Sequence, residues 1–251
     1  MRILLTNDDG IQSKGLIALE DIARSISNDI WICAPEMDQS CLANSLTVSR
    51  SLACRTISEK RFAIHGTPVD CVVVALQKIP GKKPDLILSG VNVGTNTSNH
   101  VAYSGTLAAA FEGSLQGIRS FALSQAYTYE NMIPWGVAQT HAPKILQQLL
   151  KTNIPNSTLF NINFPCCSPQ NVRGAVVTAQ GKPYFSIDAK QISEDGNLSH
   201  YSLDFRSDRL ETMCEKSDVF AIQNDMISVT PIKIDLTDYD SQKCISLSFE
   251  I

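Results

Sequence analysis

The sequence lacks the marks of several protein classes. No run approaches the roughly 20 apolar residues that a membrane span requires, and the first residues contain no basic stretch followed by an apolar run, as a signal peptide would. The net charge is −4 and basic runs are short, such as Lys82-Lys83, whereas binding to duplex nucleic acid requires clustered basic residues. We therefore expect a cytoplasmic protein that binds neither membranes nor duplex nucleic acid.

Several recurrent site patterns are also missing. The eight cysteines contain no C-x-x-C pair and the four histidines are scattered, which disfavours a zinc site. We expect reduced cysteines rather than a disulfide framework, because several lie in apolar runs of a cytosolic chain. The fingerprints G-x-G-x-x-G and G-x-x-x-x-G-K-[ST] are both absent, so neither a dinucleotide site nor a P-loop is supported.

What the sequence contains is an alternation of strand-like and helix-like segments. Its 251 residues are 43% hydrophobic and 18% charged, which is typical of a globular protein. Alternating strands and helices predict an α/β fold with a parallel sheet covered by helices on both faces. The predicted strands are 2–6, 30–34, 86–89 (ended by Gly90), 121–124 and 159–163, and the predicted helices are 14–27, one beginning at Thr67-Pro68, 106–115 and 137–151.

This pattern changes after about residue 170. Segment 175–235 is richer in polar residues and holds short β-like runs at 175–178 and 226–230. We interpret it as C-terminal β-hairpin arms rather than a second domain. The expected organisation is a single domain over 1–251, with a core of about 1–170 and an arm region of about 171–251.

Polar loops follow three of the predicted strands. The sequence N-D-D-G at 7–10 follows the first strand, segment 36–47 follows the second, and segment 90–96 follows the third. In an open parallel sheet, ligands bind beyond the carboxyl ends of the strands. These loops should therefore converge on one rim, which is the default position for a site.

The adjacent carboxylates Asp8 and Asp9 predict a metal site. Neighbouring carboxylates repel each other and are costly to hold ionised together without a cation. Carboxylate, hydroxyl and amide oxygens are hard ligands that suit Mg²⁺, Mn²⁺ or Ca²⁺. The competing interpretation is a simple turn, since Asn-Asp-Asp-Gly is also good turn chemistry.

An anion site is predicted at the start of the helix 106–115. Ser104, Gly105 and Thr106 precede or open this helix, and the free N–H groups at a helix N-terminus attract anions. The alternative is plain capping of the helix by Ser104 or Thr106, which is the more frequent use of such residues.

At this point the chain resembles a known family, the SurE survival-protein nucleotidases. The strongest segments are R-I-L-L-T-N-D-D-G at 2–10, A-P-E at 34–36, Ser40, N-S-L-T at 44–47, G-T-P-V-D-C-V at 66–72, P-D-L-I-L-S-G-V-N-V-G at 84–94, Asn96 and Y-S-G-T-L-A-A-A-F-E-G at 103–113. Weaker matches are N-I-N-F-P at 161–165 and S-V-T-P-I-K-I-D-L-T at 228–237.

The resemblance implies a Rossmann-like core and a phosphomonoesterase that uses one divalent ion, Mg²⁺ or Mn²⁺, per subunit. The implied metal ligands are Asp8, Asp9, Ser40 and Asn92, and the implied phosphate-binding residues are Asn96, Ser104, Gly105 and Thr106. Implied substrates are nucleoside 5′-monophosphates, also 3′-monophosphates and short polyphosphate. The family forms homodimers or homotetramers that exchange C-terminal elements.

The chain departs from the family pattern at several positions. Gln39 and Cys41 replace an arginine and a glycine beside Ser40, and Ser98, Asn99 and His100 replace a segment with a glycine and an aspartate pair. Asp225-Met226 replaces a Gly-Tyr pair, and Ala179 replaces a basic residue. The four implied metal ligands are all retained.

The expected mechanism assigns catalytic roles to Asp8, Asp9 and Asn96. Asp9 is either a ligand alone or also the group that takes a proton from the attacking water. Three other functions compete. The first is a receiver-type Mg²⁺-binding signalling domain, which needs an Asp at the end of the third strand, where this chain has Ser89-Gly90. The second is a haloacid-dehalogenase-type phosphatase, which needs a D-x-D motif that Asn7-Asp8-Asp9 does not supply. The third is a nucleotide-binding module with weak catalysis, which the departures at Gln39 and Cys41 suggest.

Overall fold

The structure, a computed structural model, describes residues 1–128, 133–182, 185–207 and 214–246. In this part of the chain the strands are β1 (Arg2–Thr6), β2 (Asp29–Pro35), β3 (Cys54–Ser58), β4 (Arg61–Ile64), β5 (Leu86–Val93), β6 (Arg119–Gln125), β7 (Thr158–Phe164), β8 (Ala175–Val177), β9 (Phe185–Asp195), β10 (Leu198–Ser207) and β11 (Ile227–Lys233). The α-helices are α1 (Lys14–Arg24), α2 (Pro68–Lys78), α3 (Gly105–Leu115), α4 (Trp135–Leu150), α5 (Asp218–Gln223) and α6 (Tyr239–Ser246).

Nine of these strands form one mixed sheet in the order β3-β4-β2-β1-β5-β6-β7-β11-β8. The six strands from β4 to β7 run parallel, whereas β3 is antiparallel to β4 and β11 is antiparallel to β7. The predicted α/β fold class is therefore confirmed, with antiparallel strands added at both edges of the parallel core.

Burial on both faces explains why the central strands show no polar alternation. In β1, Ile3 and Leu5 pack in the same core cluster as residues of α1 and α4, while Leu4 between them packs against residues of α2 and α3. All three side chains are fully buried. Each contributes about 1.5–3 kcal/mol relative to an exposed position, so apolar residues are favoured at every position of the strand.

Helix α2 begins as the sequence predicts. Thr67 is the N-cap, Pro68 occupies the first turn, and Thr67 and Asp70 form a reciprocal capping box. Helix α1 is shorter than predicted and ends at Arg24, with Ser25 as its C-cap. None of the helices in the described residues is long and apolar enough to cross a lipid bilayer.

The prediction that the third parallel strand ends at Gly90 is wrong, because β5 continues to Val93. Gly90 has a φ of 129°, which L side chains rarely adopt, and a Cβ there would lie 2.2 Å from the carbonyl oxygen of Leu123. The glycine thus permits a close approach to β6 instead of ending the strand. Asn92 consequently lies within the strand.

The C-terminal segment requires a second correction. The runs 175–178 and 226–230 do not form arms: β8 and β11 belong to the main sheet, where β11 pairs with both β7 and β8. The predicted hairpin arm is present as β9 and β10, which pair with each other as a separate two-stranded sheet. Strands β3 and β4 were not predicted from the sequence.

Candidate metal and phosphate site

Polar side chains from the ends of neighbouring strands converge on one cavity of about 460 Å³. Asp8 follows β1, Ser40 lies in the loop after β2, and Asn92 lies near the end of β5. Asn96 and Ser104 line the same cavity. The structure therefore brings together residues that the sequence analysis selected from three separate loops.

Asp8 is buried at the junction of the β1 loop and helix α3. The Thr106 hydroxyl donates a hydrogen bond to Asp8 Oδ1 at 2.6 Å, and the Thr106 backbone N–H donates to the same carboxylate. Burial raises the pKa of Asp8, while the hydrogen bonds from Thr106 lower it. A Cβ on Gly105 would lie 2.9 Å from the Asp8 Cβ, so glycine allows the helix to start this close to the carboxylate.

Asp9 has one oxygen that no described group satisfies. Burial, followed by the charge of Asp8, raises the pKa of Asp9 to about 7, and the N–H of Val93 donates to the carboxylate. Asp9 Oδ2 is buried without a hydrogen-bond partner among the described residues. A buried carboxylate oxygen without a donor is costly, and a hard cation would satisfy it.

Ser40 and Asn92 each keep an oxygen that a cation could use. Both the N–H and the hydroxyl of Ser40 donate to Asp38 Oδ1, at 2.7 and 2.6 Å, which leaves the lone pairs of Ser40 Oγ for a ligand. Asn92 Nδ2 donates to the carbonyl oxygens of Val93 and Gly94, at 3.1 and 2.9 Å. These bonds use the amide nitrogen and leave the Asn92 Oδ1 for a cation.

Asp38 is a site residue that the sequence analysis missed. It orients Ser40, and its charge adds to the rise that burial causes in the pKa of Asp8 and Asp9. Its position two residues before Ser40 was the feature of the sequence from which its role could have been predicted. No group of three His, Cys, Asp or Glu side chains in the described chain forms a ligand set. A cation here would therefore depend on the hydroxyl and amide oxygens of Ser40 and Asn92.

The predicted phosphate-binding residues occupy different depths. Ser104 lines the cavity and caps α3, accepting a hydrogen bond from the Leu107 N–H at 3.1 Å. Gly105 and Thr106 are buried behind it, and the Thr106 hydroxyl is directed to Asp8. The hydroxyl that the resemblance assigns to phosphate thus supports a carboxylate in this structure. The phosphate roles of these residues remain predictions.

Asn96 is held rigidly by polar residues of β6 and β7. Its Nδ2 donates to the Ser124 hydroxyl at 2.8 Å, and its backbone N–H donates to Asn163 Oδ1 at 2.8 Å. Asn161 Nδ2 donates to the Asn96 carbonyl at 2.7 Å. The alternate placement of Asn161 and Asn163 in an apolar strand was the signal for this network, because alternate residues share one face.

Aromatic side chains form another part of the cavity lining that the sequence analysis did not predict. These side chains come from the turn before α3, from the segment after β6 and from the β9–β10 hairpin: His100, Tyr103, Tyr127, Phe185 and Phe205. In the described part of the chain, no lysine or arginine lines the cavity. An anion that enters it therefore meets no cationic side chain of the described residues.

The fold and this site define a class. The molecule is a Rossmann-like α/β protein with hard oxygen groups and a helix N-terminus at the carboxyl ends of its parallel strands, where such folds bind ligands. The family model described as "Survival protein SurE" matches residues 3–186. The chain belongs to the SurE family.

Individual relatives agree with this assignment. The chain is 49% identical over 248 residues to the "5′-nucleotidase SurE" of Allorhizobium ampelinum, and the match covers 98% of this chain and 96% of the relative. It is 50% identical to the "5′-nucleotidase SurE" of Rhizobium meliloti over the same shares of the two chains. The crystal structure of the SurE protein from Aquifex aeolicus matches with a TM-score of 0.84 and 31% identity, covering 98% of this chain and 99% of that chain.

Proposed function

We propose that this chain is a nucleotidase, a phosphoric monoester hydrolase that cleaves nucleoside 5′-monophosphates to nucleoside and phosphate with a divalent cation, Mg²⁺ or Mn²⁺. The names of the relatives, which match across nearly the whole chain, support the nucleotidase activity. The proposal extends to nucleoside 3′-monophosphates and short polyphosphate, whose hydrolysis likewise transfers a phosphoryl group to water.

The cavity lining is the observation that carries the requirement for a cation. A phosphate monoester bears up to two negative charges, and no lysine or arginine of the described chain lines the cavity. The buried carboxylate of Asp8 also lines it, next to Asp9. An anionic ester would be repelled by this pair unless a positive ion were bound between them.

The residues present fit such an ion. Asp8, Asp9, Ser40 and Asn92 would hold it through oxygen atoms, and Thr106 and Asp38 would fix two of these ligands. When bound, a hard divalent cation would neutralise the phosphoryl charge and lower the pKa of a bound water.

The chain's own residues supply orientation. Asn96, immobilised by Ser124, Asn161 and Asn163, and the N-terminal end of α3 at Ser104 would position the phosphoryl group. The Oδ2 atom of Asp9 would either bind the cation or accept a proton from the attacking water.

The direct experiment is a phosphate-release panel. Purified protein is incubated with 5′-AMP, 3′-AMP and short polyphosphate, in the presence of Mg²⁺, Mn²⁺ or a chelator. We expect release from the nucleoside monophosphates with either ion and loss of release with the chelator. Equal release in the presence of the chelator would refute the metal requirement, and no release from any nucleotide would refute the nucleotidase assignment.

Asp8→Asn should abolish metal-dependent phosphate release while the protein stays folded. The change removes a charge that the cation needs but leaves an oxygen to accept the hydrogen bond from Thr106. Phosphate release with Mn²⁺ and the circular dichroism spectrum are the two measurements. The control is Asp195→Asn, an identical change at an exposed position of the hairpin, which should keep full activity. Activity of Asp8→Asn equal to wild type would remove Asp8 from the site.

A second function, nucleotide binding with weak turnover, is favoured by one local observation. Cys41 lines the cavity with a φ of 62°, in the left-handed region that glycine favours, and a non-glycine residue there costs about 1 kcal/mol. Gln39 supplies no positive charge, and its side chain donates to the Asp38 carbonyl. This function would be supported if the wild-type protein bound a nucleotide without releasing phosphate and the double variant Gln39→Arg/Cys41→Gly hydrolysed it faster.

A further inference from the structure

One wall of the cavity is built from aromatic rings of two separate segments. His100 and Tyr103 lie in the turn before α3, whereas Phe185 and Phe205 lie on β9 and β10 of the hairpin. The His100 and Phe185 rings stack with centroids 3.6 Å apart and an interplanar angle of 14°. Phe205 meets His100 edge-on at 4.7 Å and Tyr103 at 5.8 Å. We call these four side chains the aromatic wall.

Hydrogen bonds attach the β9–β10 hairpin to residues 98 and 99, which precede His100, so the aromatic wall has a defined position. Asn99 Nδ2 donates to the Phe185 carbonyl at 2.7 Å, and the Phe185 N–H donates back to Asn99 Oδ1 at 3.2 Å. The Ser98 hydroxyl donates to the Lys182 carbonyl, and Gln180 Nε2 donates to the Ser98 carbonyl at 2.8 Å. Ser98, Asn99 and His100 are among the residues at which the sequence departs from the family pattern.

Asp218, at the start of α5, connects the same two segments. This fully buried carboxylate accepts hydrogen bonds from the N–H groups of Ser98 and Gly181, both at 2.9 Å. One side chain thus links the loop that carries His100 to the base of the hairpin that carries Phe185. Asp218, Ser98 and Asn99 are positioning residues for the aromatic wall.

The wall adds exposed aromatic surface to a cavity whose remaining lining is mainly polar. Phe205 is 44% exposed and Tyr103 is 39% exposed, and both line the cavity that holds Asp8 and Asn92. Burial lowers the pKa of His100, which favours the neutral imidazole for stacking. A cavity lined both by polar groups such as Asn96 and Ser104 and by aromatic rings matches a ligand that joins an anion to a flat ring system.

We propose that the aromatic wall is the nucleobase subsite, with Phe205 as its principal stacking residue. This inference rests on the proposed nucleotidase function and adds the residues that select a nucleotide over other phosphate esters. Stacking on aromatic rings is tolerant of base identity, because every base has a π-face. The wall therefore accepts purine and pyrimidine nucleotides and discriminates against sugar phosphates that carry no base.

Phe205→Leu tests the proposal, because Leu keeps an apolar side chain at this exposed position but removes the ring. Binding of adenosine, which lacks a phosphate, is measured by isothermal titration calorimetry. Hydrolysis is measured with 5′-AMP and with ribose 5-phosphate, the same ester without its base. We expect the Kd for adenosine and the KM for 5′-AMP to rise roughly 5- to 150-fold, with kcat/KM for ribose 5-phosphate unchanged. Phe205→Trp should retain wild-type values.

The control is Tyr201→Leu, the same type of change on the same strand. Tyr201 is 58% exposed and lies outside the cavity lining, so its loss should change neither constant. Each of three results would overturn the subsite. The first is an equal affinity of wild type and Phe205→Leu for adenosine, and the second is an equal fall in kcat/KM for 5′-AMP and for ribose 5-phosphate. The third is a loss of adenosine affinity in Tyr201→Leu as large as that in Phe205→Leu. If wild type hydrolyses neither ester while Phe205→Leu still loses adenosine binding, the proposed activity fails and the subsite stands.

Discussion

At the scale of single residues, the carboxylate of Asp8 depends on Thr106. This threonine donates from both its hydroxyl and its backbone N–H, so it fixes the rotamer of a buried acid at the start of α3. Groups that orient a metal ligand in this way are worth about 10- to 100-fold in metal affinity. A residue that the family resemblance assigns to phosphate is thereby expected to act through the cation site as well.

Thr106→Val should weaken Mn²⁺ binding by about 10- to 100-fold, because valine has the shape of threonine without the hydroxyl donor. Calorimetric titration of the purified protein with Mn²⁺ gives the affinity without any need for turnover. Thr106→Ser keeps the hydroxyl and should bind Mn²⁺ nearly as tightly as wild type. Unchanged affinity in Thr106→Val would show that the bond to Asp8 does not support the cation.

The convergence of site residues could be predicted from the sequence, but their hydrogen bonds could not. Asp8, Ser40 and Asn92 each follow or end a buried strand, and parallel strands bring such positions to one rim. The direction of the Thr106 hydroxyl depends on how closely α3 approaches β1, which Gly105 permits. Asp38 and the aromatic wall were missed because turn geometry and a long-range hairpin contact place them.

At the scale of elements, the first turn of α2 holds the loop that carries Ser40. Asp70 is fully buried, and its carboxylate accepts hydrogen bonds from the N–H of Thr67 and from both the N–H and the hydroxyl of Thr47. Thr67 in turn donates its hydroxyl to the Ser45 carbonyl at 2.7 Å. The capping box therefore stabilises the helix and anchors residues 45–47 of the loop after β2.

Asp70→Ala should lower the free energy of unfolding by about 3 kcal/mol, because a lost cap costs about 1 kcal/mol and each buried donor left unpaired costs about 1–3 kcal/mol. Urea denaturation monitored by tryptophan fluorescence measures the change. Thr47→Val removes one donor and keeps the carboxylate, so it should cost only about 1 kcal/mol. Equal losses in the two variants would show that the capping box adds nothing beyond the Thr47 contact.

Two physical causes explain the elements that the sequence did not reveal. Residues 61–64 form a strand of only four residues that begins with a charged side chain, too short for a periodic signal. Ser228 and Thr230 in β11 suggested an exposed arm, yet both are buried. Their hydroxyls each lie 2.7 Å from the Thr178 hydroxyl, so the polar groups satisfy one another inside the fold. Such mutual pairing depends on tertiary structure.

At the scale of the whole molecule, the β9–β10 hairpin exposes apolar side chains that a monomer would leave in water. Ile192, Leu198 and Leu203 are 57–68% exposed. Apolar patches of this kind mark interaction surfaces. Together with the family resemblance, they support the expectation that the chain forms a homodimer or homotetramer, and we propose that it does so through this arm.

Leu203→Asp should shift the protein to a smaller assembly, because it places a charge in the apolar patch and the buried charge would lack a partner. Sedimentation velocity over a range of protein concentrations measures the change. Ile17→Asp introduces the same charge at an exposed position of α1 and should leave the assembly state of wild type. Identical sedimentation of wild type and Leu203→Asp would argue against an arm-mediated oligomer.

The place of β11 in the sheet has a consequence for biosynthesis. β8 ends at Val177, but β11, the sheet strand with which it pairs, begins only at Ile227. Translation proceeds from the N-terminus, so the ribosome releases β7 and β8 well before the strand that joins them exists. Until then, the nascent chain displays the open edge of β7, which is prone to pair with other chains. A premature stop before Ile227 would leave that edge permanently uncovered and make the truncated product a target for chaperones and proteases.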